Sequence, residues 1–330
     1  MSHVVVTGAS GLVGANLVRD LLREGRPVRA LVHTDTRALQ GLPVEQVRCD
    51  VRDARAVADA VAGADVVYHL AACISVGQYA ASDVAAVNVG GTENRVQACL
   101  RQGVGRLVHF SSIHACDRRP DDGTVDERRA LVPDAATCSS YDRSMALGER
   151  VVQAAVAGGL DAVVVVPTAV IGPYDFKPSY LGGVIAKLAR GGQPVLVTGG
   201  FDWVDVRDVS AGARAAEARG RRGERYLLSG RWCSVEDLAA AIDEITGRER
   251  HRLTIPSGVA REAFAGYARA LRLVGRSTAF TPEAVEALQH HRWVSHAKAS
   301  RELGYRPRPL RETLADTIAW MDGRWDGAPA

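Results

Sequence analysis

Thr7-Gly8-Ala9-Ser10-Gly11-Leu12-Val13-Gly14 follows a short apolar run, Val4-Val5-Val6, and opens a stretch to Arg23 with apolar residues at 13, 17, 18, 21 and 22. The run reads as a buried strand and the stretch as an amphipathic helix, so Gly8, Gly11 and Gly14 fall where one turns into the other. So tight a turn needs a residue without a Cβ, and the helix start offers unpaired N–H groups and a positive dipole end. Backbone from Ser10 to Val13 can then come close to a phosphate group. A glycine-rich turn that serves only helix packing is the bland alternative, and the strand and helix on either side weigh against it.

Outward from this turn, short β-branched runs alternate with helical patterns from His3 to about Pro167. Val28 to Val32, Glu45 to Cys49, Asp65 to Leu70, Arg106 to Phe110 and Ala162 to Val166 read as strands, with helices at about 53–62, 83–102 and 140–157. The alternation predicts an α/β fold, a Rossmann-type doubly wound parallel sheet with helices on both faces. After Pro167 the rhythm breaks, and Gly172-Pro173, Gly182-Gly183, Gly191-Gly192 and Gly199-Gly200 mark turns. Helices at 208–219, 234–247, 258–273, 281–288 and 310–322, with brief strands near Tyr226-Leu227-Leu228 and His251-Arg252-Leu253, make this part a smaller, mostly helical lobe. The expected division is residues 1–167 for a dinucleotide and 168–330 for a substrate, with some chain crossing back to the sheet. Ligands of such sheets bind outside the carboxyl ends of the strands and need a cover.

Composition narrows the possibilities. The 330 residues are 47% hydrophobic, ample for a buried core. The net charge of +3 arises from interspersed signs, which gives no support to a nucleic-acid or membrane surface. No run approaches the roughly 20 apolar residues of a membrane helix, and no basic, apolar leader precedes the first strand, so a cytoplasmic protein is expected. Cys49, Cys73, Cys99, Cys116, Cys138 and Cys233 are scattered singly, without the spacing of a zinc site or a redox dithiol, and no metal is expected.

The glycine turn, Ser111-Ser112 at a strand end, Tyr141 at a helix start and Ala146-Leu147-Gly148-Glu149 beyond it together resemble the extended short-chain dehydrogenase/reductases of the NAD-dependent epimerase/dehydratase family. The resemblance covers nearly the whole chain. Val166-Pro167-Thr168-Ala169-Val170-Ile171-Gly172-Pro173, Asp205 to Asp208 and Ala299 to Pro307 match later segments, and Asp175-Phe176-Lys177-Pro178 is similar to the dihydroflavonol reductase and hopanoid-associated sugar epimerase branch. The resemblance implies hydride transfer at a secondary alcohol or ketone, a nicotinamide cofactor and a homodimer. It implies cofactor contacts from Gly8 to Gly14, from Asp50 and Val51, from Leu70-Ala71-Ala72, from Asn88, and from Pro167, Thr168 and Val170. It also implies that Tyr141 exchanges a proton with the substrate oxygen while Ser112 hydrogen-bonds that oxygen.

One position departs from the pattern. The resemblance implies a lysine four residues after Tyr141, where it would lower the tyrosine pKa and hold the nicotinamide ribose, and this chain has Met145. A thioether carries no charge and donates no hydrogen bond. Arg143 faces another side of the helix, and His114 is the nearby residue able to take over proton transfer. Three readings stay open: an impaired oxidoreductase or epimerase, a non-redox enzyme on the same fold carrying out cyclisation or elimination, and a dinucleotide-sensing binding protein.

Two finer features remain. The second strand ends in Val32 and His33 with Arg37 close by and no acid at the strand end, which favours NADP over NAD because an acid there would repel a 2′-phosphate. Asp35 between them could instead serve NAD. Ser75, His114, Tyr174, Phe176 and Lys177 are expected to line the cleft for a small-molecule substrate. With no basic cluster for a nucleotide diphosphate, a small or medium hydroxylated metabolite, cyclic or not, is expected.

Overall fold

The computed structural model describes residues 3–75, 79–120, 123–135, 138–273 and 281–325. The first half runs β1 (Val4–Thr7), α1 (Leu12–Arg23), β2 (Val28–Val32), β3 (Glu45–Arg48), α2 (Ala54–Val61), β4 (Val66–His69), α3 (Ala81–Ala85), α4 (Gly91–Gln102), β5 (Arg106–Phe110), α5 (Ser140–Ala157) and β6 (Ala162–Pro167). It continues with β7 (Ala169–Ile171), α6 (Tyr180–Arg190), β8 (Val195–Val197), β9 (Gly200–Asp205), α7 (Val206–Arg219), β10 (Arg225–Leu228), β11 (Arg231–Ser234) and α8 (Val235–Thr246). The last elements are β12 (Leu253–Ile255), α9 (Ser257–Leu273), α10 (Pro282–Ala287), α11 (Ala297–Leu303) and α12 (Leu310–Met321).

Seven strands form one parallel sheet in the order β10-β6-β5-β4-β1-β2-β3. The chain moves one way from β1 to β3 and the other way from β4 to β6, so the order reverses between β1 and β4, and a crevice opens there at the carboxyl ends. Apolar residues cover both faces of the sheet. Val4, Val6, Tyr68, Val108, Val163 and Val165 pack on one side with α1 and α7, and Val5, Val67, Leu107, Val164 and Val166 pack on the other with α2, α4 and α5. Within this apolar sheet the register sets Thr7 beside His69 and His69 beside His109, a polar row across β1, β4 and β5.

The doubly wound sheet and the helical C-terminal region are as expected, and the differences lie after Pro167. There the chain leaves the main sheet at once, because β7 pairs with β9 in a separate three-stranded sheet completed by β11. Helix α6 occupies a region in which Gly182-Gly183 had suggested a turn. Gly182 serves packing inside that helix, since a Cβ there would lie 2.2 Å from Asp175 Oδ2. Asp175 in turn accepts from the backbone N–H and hydroxyl of Ser179, the residue that caps α6. The lobe has its own core, in which Ile185, Leu188, Ile242 and Leu314 are fully buried, each contributing about 1.5–3 kcal/mol.

Candidate active site

Each glycine of the opening turn has a different reason to be there. Gly8 sits in the left-handed region at φ 65°, and a Cβ on it would come within 2.9 Å of backbone atoms of Leu70 and Ala71. A Cβ on Gly14 would stand 2.2 Å from the Gly8 carbonyl oxygen, so this residue lets α1 pack against the turn. Gly11 is exposed and its nearest neighbour would be 3.4 Å away, so packing within the chain does not require glycine there. No side chain caps α1 at that end. An open cradle beside uncapped helix N–H groups fits the pyrophosphate of a dinucleotide, which would supply the hydride chemistry when bound.

A buried chain of hydrogen bonds ties this turn to the opposite wall. The Thr7 hydroxyl accepts from the N–H groups of Leu70 (3.0 Å) and Ala71 (3.1 Å) and lies 2.9 Å from His69 Nδ1. With its acceptor capacity used, the hydroxyl donates to Nδ1, so His69 Nε2 carries the proton and donates to Thr92 Oγ1 at 3.1 Å. Thr92 passes its own hydroxyl hydrogen to the Asn88 carbonyl at 2.7 Å. Burial holds His69 neutral, with its pKa well below the usual imidazole value. Asn88 stands in a single π-helical turn, Ala86–Gly90, and donates to Ser144 Oγ (2.9 Å) and the Cys73 carbonyl while accepting from the Cys73 N–H. Asn88 thereby orders the Leu70-to-Cys73 loop and the first turn of α5, the second of which carries Met145.

Ser112 and Tyr141 meet at the carboxyl end of β5 and the start of α5. Burial pushes the Tyr141 phenol up to about 12, and the neighbouring Ser112 hydroxyl pulls more weakly the other way. Met145 is 5% exposed, packed with Tyr141, Ala115, Val132 and Ala146. Beside it lies a cavity of about 10 Å³, room for one water, lined by Asn88, Thr92, His109, Gly148 and small residues including Ala71 and Ala72. Ser111 turns the other way and donates to buried Glu149 at 2.6 Å, which also pairs with Arg225 of β10 at 2.5 Å. This set fastens α5 to the sheet under the tyrosine. Arg143 points to Asp134 at the surface, on a different side from Tyr141, as helical geometry requires.

His114, two residues past Ser112, lies in a single turn of 3₁₀ helix, Ile113–Ala115. Its ring meets that of Tyr141 edge-on at 5.5 Å, and its Nδ1 is 3.1 Å from Asp142 Oδ1. Arg118 binds the other carboxylate oxygen of Asp142 and also Glu286 of α10.

At the far end, Asp50 pairs with Arg52 at 2.5 Å and with His33 at 3.7 Å, which holds its carboxyl at about 2. Val51 packs where a Cβ on Gly91 would touch it at 2.8 Å, and Asn94 donates to the carbonyls of Val51 and Arg52. Arg37 pairs with Asp35 at 2.6 Å, and Lys177 adds to the lowering of the Asp35 pKa. Tyr174 and Phe176 stack together and meet Trp320, with Arg19 of α1 over both rings. Among the described residues none of these ring contacts reaches Tyr141. Ser75 is buried, at 4% exposure.

Thr168, after Pro167, donates to Asp202 Oδ1 at 2.7 Å, and the Gly230 N–H shares that oxygen at 2.8 Å. Val170 lies in β7. Burial raises the Asp202 carboxyl to about 6. A carboxyl whose folded pKa exceeds its unfolded value contributes stability below the unfolded pKa and loses it as pH rises through about 6. Asp202→Asn keeps the acceptor and removes the titration, so the variant should be more stable than the parent at pH 8 by about 1–3 kcal/mol. That advantage should shrink below pH 6. Thermal melts at pH 8 and pH 5 check this, and equal differences at both would contradict it.

Sequence reasoning missed Asp142, Arg118, Thr7, His69 and His109. His69 and Thr7 are 62 positions apart and His114 and Asp142 are 28 apart, and only the fold brings them together. Among the described residues no helix is long and apolar enough to cross a membrane, and no group of three or more His, Cys, Asp or Glu could hold a metal.

The reversed strand order, the open glycine cradle and the Ser112–Tyr141 pair define an SDR-type enzyme on a Rossmann-like sheet. Residues 4–229 match the model of the NAD dependent epimerase/dehydratase family, and the chain belongs to that family. It is similar to sterol demethylase protein B of Methylococcus capsulatus, 37% identical over 324 residues that cover 97% of this chain and 98% of the relative. It is also similar to 2-alkyl-3-oxoalkanoate reductase of Stenotrophomonas maltophilia, 31% identical over 320 residues that cover 92% of this chain and 94% of that one. Among solved structures, gox2253 superposes with a TM-score of 0.85 at 30% identity, covering 99% of this chain and all of the other. NAD-dependent oxidoreductase or epimerase chemistry follows from this membership in general terms.

Proposed function

We propose that this protein interconverts a secondary alcohol and a ketone on an apolar metabolite by hydride transfer with a nicotinamide dinucleotide. The single observation that carries the reading is the Ser112–Tyr141 pair at the carboxyl end of β5, on the same edge of the parallel sheet as the open cradle at Gly11 after β1. Residues 1–167 hold the dinucleotide, with its pyrophosphate over Gly8 to Gly14, its adenosine near Asp50 and Val51, and its nicotinamide towards Met145, Pro167, Thr168 and Val170. Residues 168–330 shape the substrate side. Ser112 donates to the substrate oxygen, and Tyr141 stands beside it as a second hydrogen-bond donor. Without a cation at position 145 the phenol, at about 12, has only about 10⁻⁵ of its population ionised at pH 7, so turnover through tyrosine alone is slow.

A sterol-related protein and a reductase of an alkyl-substituted 3-oxoalkanoate are both among the relatives, which supports an apolar alcohol or ketone over a nucleotide sugar. The family resemblance supports a homodimer, and a cytoplasmic location is proposed with it; among the described residues no helix is long and apolar enough to cross a membrane. Nicotinamide absorbance with a panel of cyclic and long-chain secondary alcohols and ketones tests the function. Turnover of at least one panel member is expected, and turnover of sugar nucleotides alone would overturn the substrate class.

NADPH is the favoured cofactor. No acid ends β2, and His33, Arg37 and Lys177 gather about Asp35 and Asp50 at the adenosine end. We assign Lys177, expected from the sequence to line the cleft, to this end as well, because its charge acts on Asp35. Calorimetry should show NADPH binding more tightly than NADH, and Lys177→Ala should narrow the gap by about fivefold, as for one exposed charge–phosphate contact worth about 1 kcal/mol. Equal affinities in the parent would overturn the NADP assignment.

A further inference from the structure

We propose that His114, oriented by Asp142, is the acid–base residue of this site, taking the substrate's hydroxyl proton in place of a lysine-activated tyrosine. The inference rests on the oxidoreductase reading above and adds to it the group through which the proton moves.

The geometry is that of a carboxylate–imidazole dyad beside the oxygen-binding pair. His114 follows Ser112 by two residues, and the Ser112 hydroxyl accepts from the His114 backbone N–H at 3.2 Å, which fixes where the ring begins. The ring rests edge-on against Tyr141 at 5.5 Å. Asp142 takes its Nδ1 at 3.1 Å. The Asp142 side chain is 4% exposed and is held ionised by His114 and Arg118, with its carboxyl at about 2 despite burial. An ionised acceptor at that distance keeps the proton on Nδ1 and leaves Nε2 as a free acceptor. Among the described residues Nε2 has no hydrogen-bond partner, and the side chain is 28% exposed.

The groups around the dyad favour this role. On α5 they are Tyr141 and Asp142. From the segment after the 3₁₀ turn comes Arg118, and from α10 comes Glu286, which shares Arg118 with Asp142. From the loop beyond α10 come His290 and His291. His291 has a left-handed backbone at φ 58°, and burial together with the charges of His114, His290 and Arg118 depresses its pKa to about 3. His291 therefore stays neutral and does not compete for the Asp142 charge. In alcohol oxidation the substrate O–H bond breaks and an Nε2–H bond forms, giving an imidazolium balanced by the Asp142 carboxylate. The hydrogen on carbon leaves as hydride to the oxidised nicotinamide of the proposed function, and the carbon–oxygen double bond forms. Ketone reduction runs the same transfers backwards. Tyr141 stays protonated throughout and only donates.

Three measurements test the dyad. In nitrogen–proton correlation spectra of the protein without cofactor, the neutral His114 ring should show the Nδ1–H tautomer, and an Nε2–H ring would overturn the proposal. His114→Ala should lose about 10²- to 10⁴-fold in kcat with little change in KM, and added imidazole should restore part of it, which a merely structural role would not allow. His114→Asn, which keeps a donor for Asp142, serves if the alanine variant does not fold. In a Met145→Lys background the same His114→Ala change should cost at least tenfold less, because a tyrosine–lysine pair then does the work. Full activity in His114→Ala would sink the dyad. If the parent turns over no panel substrate, the oxidoreductase reading falls, and the tautomer still decides the dyad.

Discussion

In a His114→Ala background, where the tyrosine must act alone, Met145→Lys raises kcat for alcohol oxidation at pH 7 by about 10²-fold. A lysine ammonium about 5 Å from the Tyr141 oxygen, at an effective dielectric of about 20, stabilises the phenolate by about 3 kcal/mol, or about two pKa units. The phenol at about 12 would fall to about 10 and its ionised fraction at neutral pH would rise about a hundredfold. The site can take the change, because Met145 already fills a channel of similar length beside a cavity of about 10 Å³ whose walls include Asn88, Thr92 and His109. Desolvating the ammonium should cost about 1–3 kcal/mol of stability, which a thermal melt reads. Stopped-flow or steady-state nicotinamide absorbance measures the gain. A double variant no faster than His114→Ala alone would show that ionisation of the phenol does not limit the reaction once His114 is gone.

The glycine turn gives the second large effect as a contrast between neighbours. Gly14→Ala places a methyl 2.2 Å from the Gly8 carbonyl and 2.7 Å from Ala9 Cα, both backbone atoms, so α1 must move off the turn. Its cost is about 3 kcal/mol or more, with dinucleotide binding lost alongside. Gly11→Ala meets only the Gly8 oxygen at 3.4 Å and should melt as the parent does. Its methyl nevertheless stands where phosphate oxygens approach the helix, so affinity should fall about 10²-fold or more. Circular dichroism melts with calorimetric titrations separate the two, and an unchanged dinucleotide affinity in Gly11→Ala would remove the pyrophosphate from this turn.

The cofactor half was legible because its strands are continuous buried β-branched runs and its helices repeat at helical spacing. Val4 to Val6, Val28 to Val32 and Ala162 to Val166 could hardly be read otherwise. The lobe was harder for a definite reason, since its strands are three to six residues long and several of its glycines serve packing as well as turning. Gly182 looks like a chain reversal in sequence, yet it sits in the first turn of α6 to admit the Asp175 carboxylate. Position 145 was readable as a departure from the resemblance. The partner that gives the departure a sense was not, because nothing near Tyr141 in sequence marks Asp142 as the carboxylate for a histidine 28 residues earlier.

The return of β10 to the main sheet bears on how a growing polypeptide reaches its native state. When residue 167 leaves the ribosome, β6 still has one edge bare, and the strand that covers it, Arg225–Leu228, has not been made. The face that α1 and α7 share is completed only by Leu303 and Tyr305, which are made later still. The first half of the chain therefore cannot finish folding until these later segments have been made, and until Arg225–Leu228 arrives the valine-rich β6 keeps one bare edge. Products cut short before Arg225 keep that edge bare and are expected to aggregate more readily than a chain that carries β10.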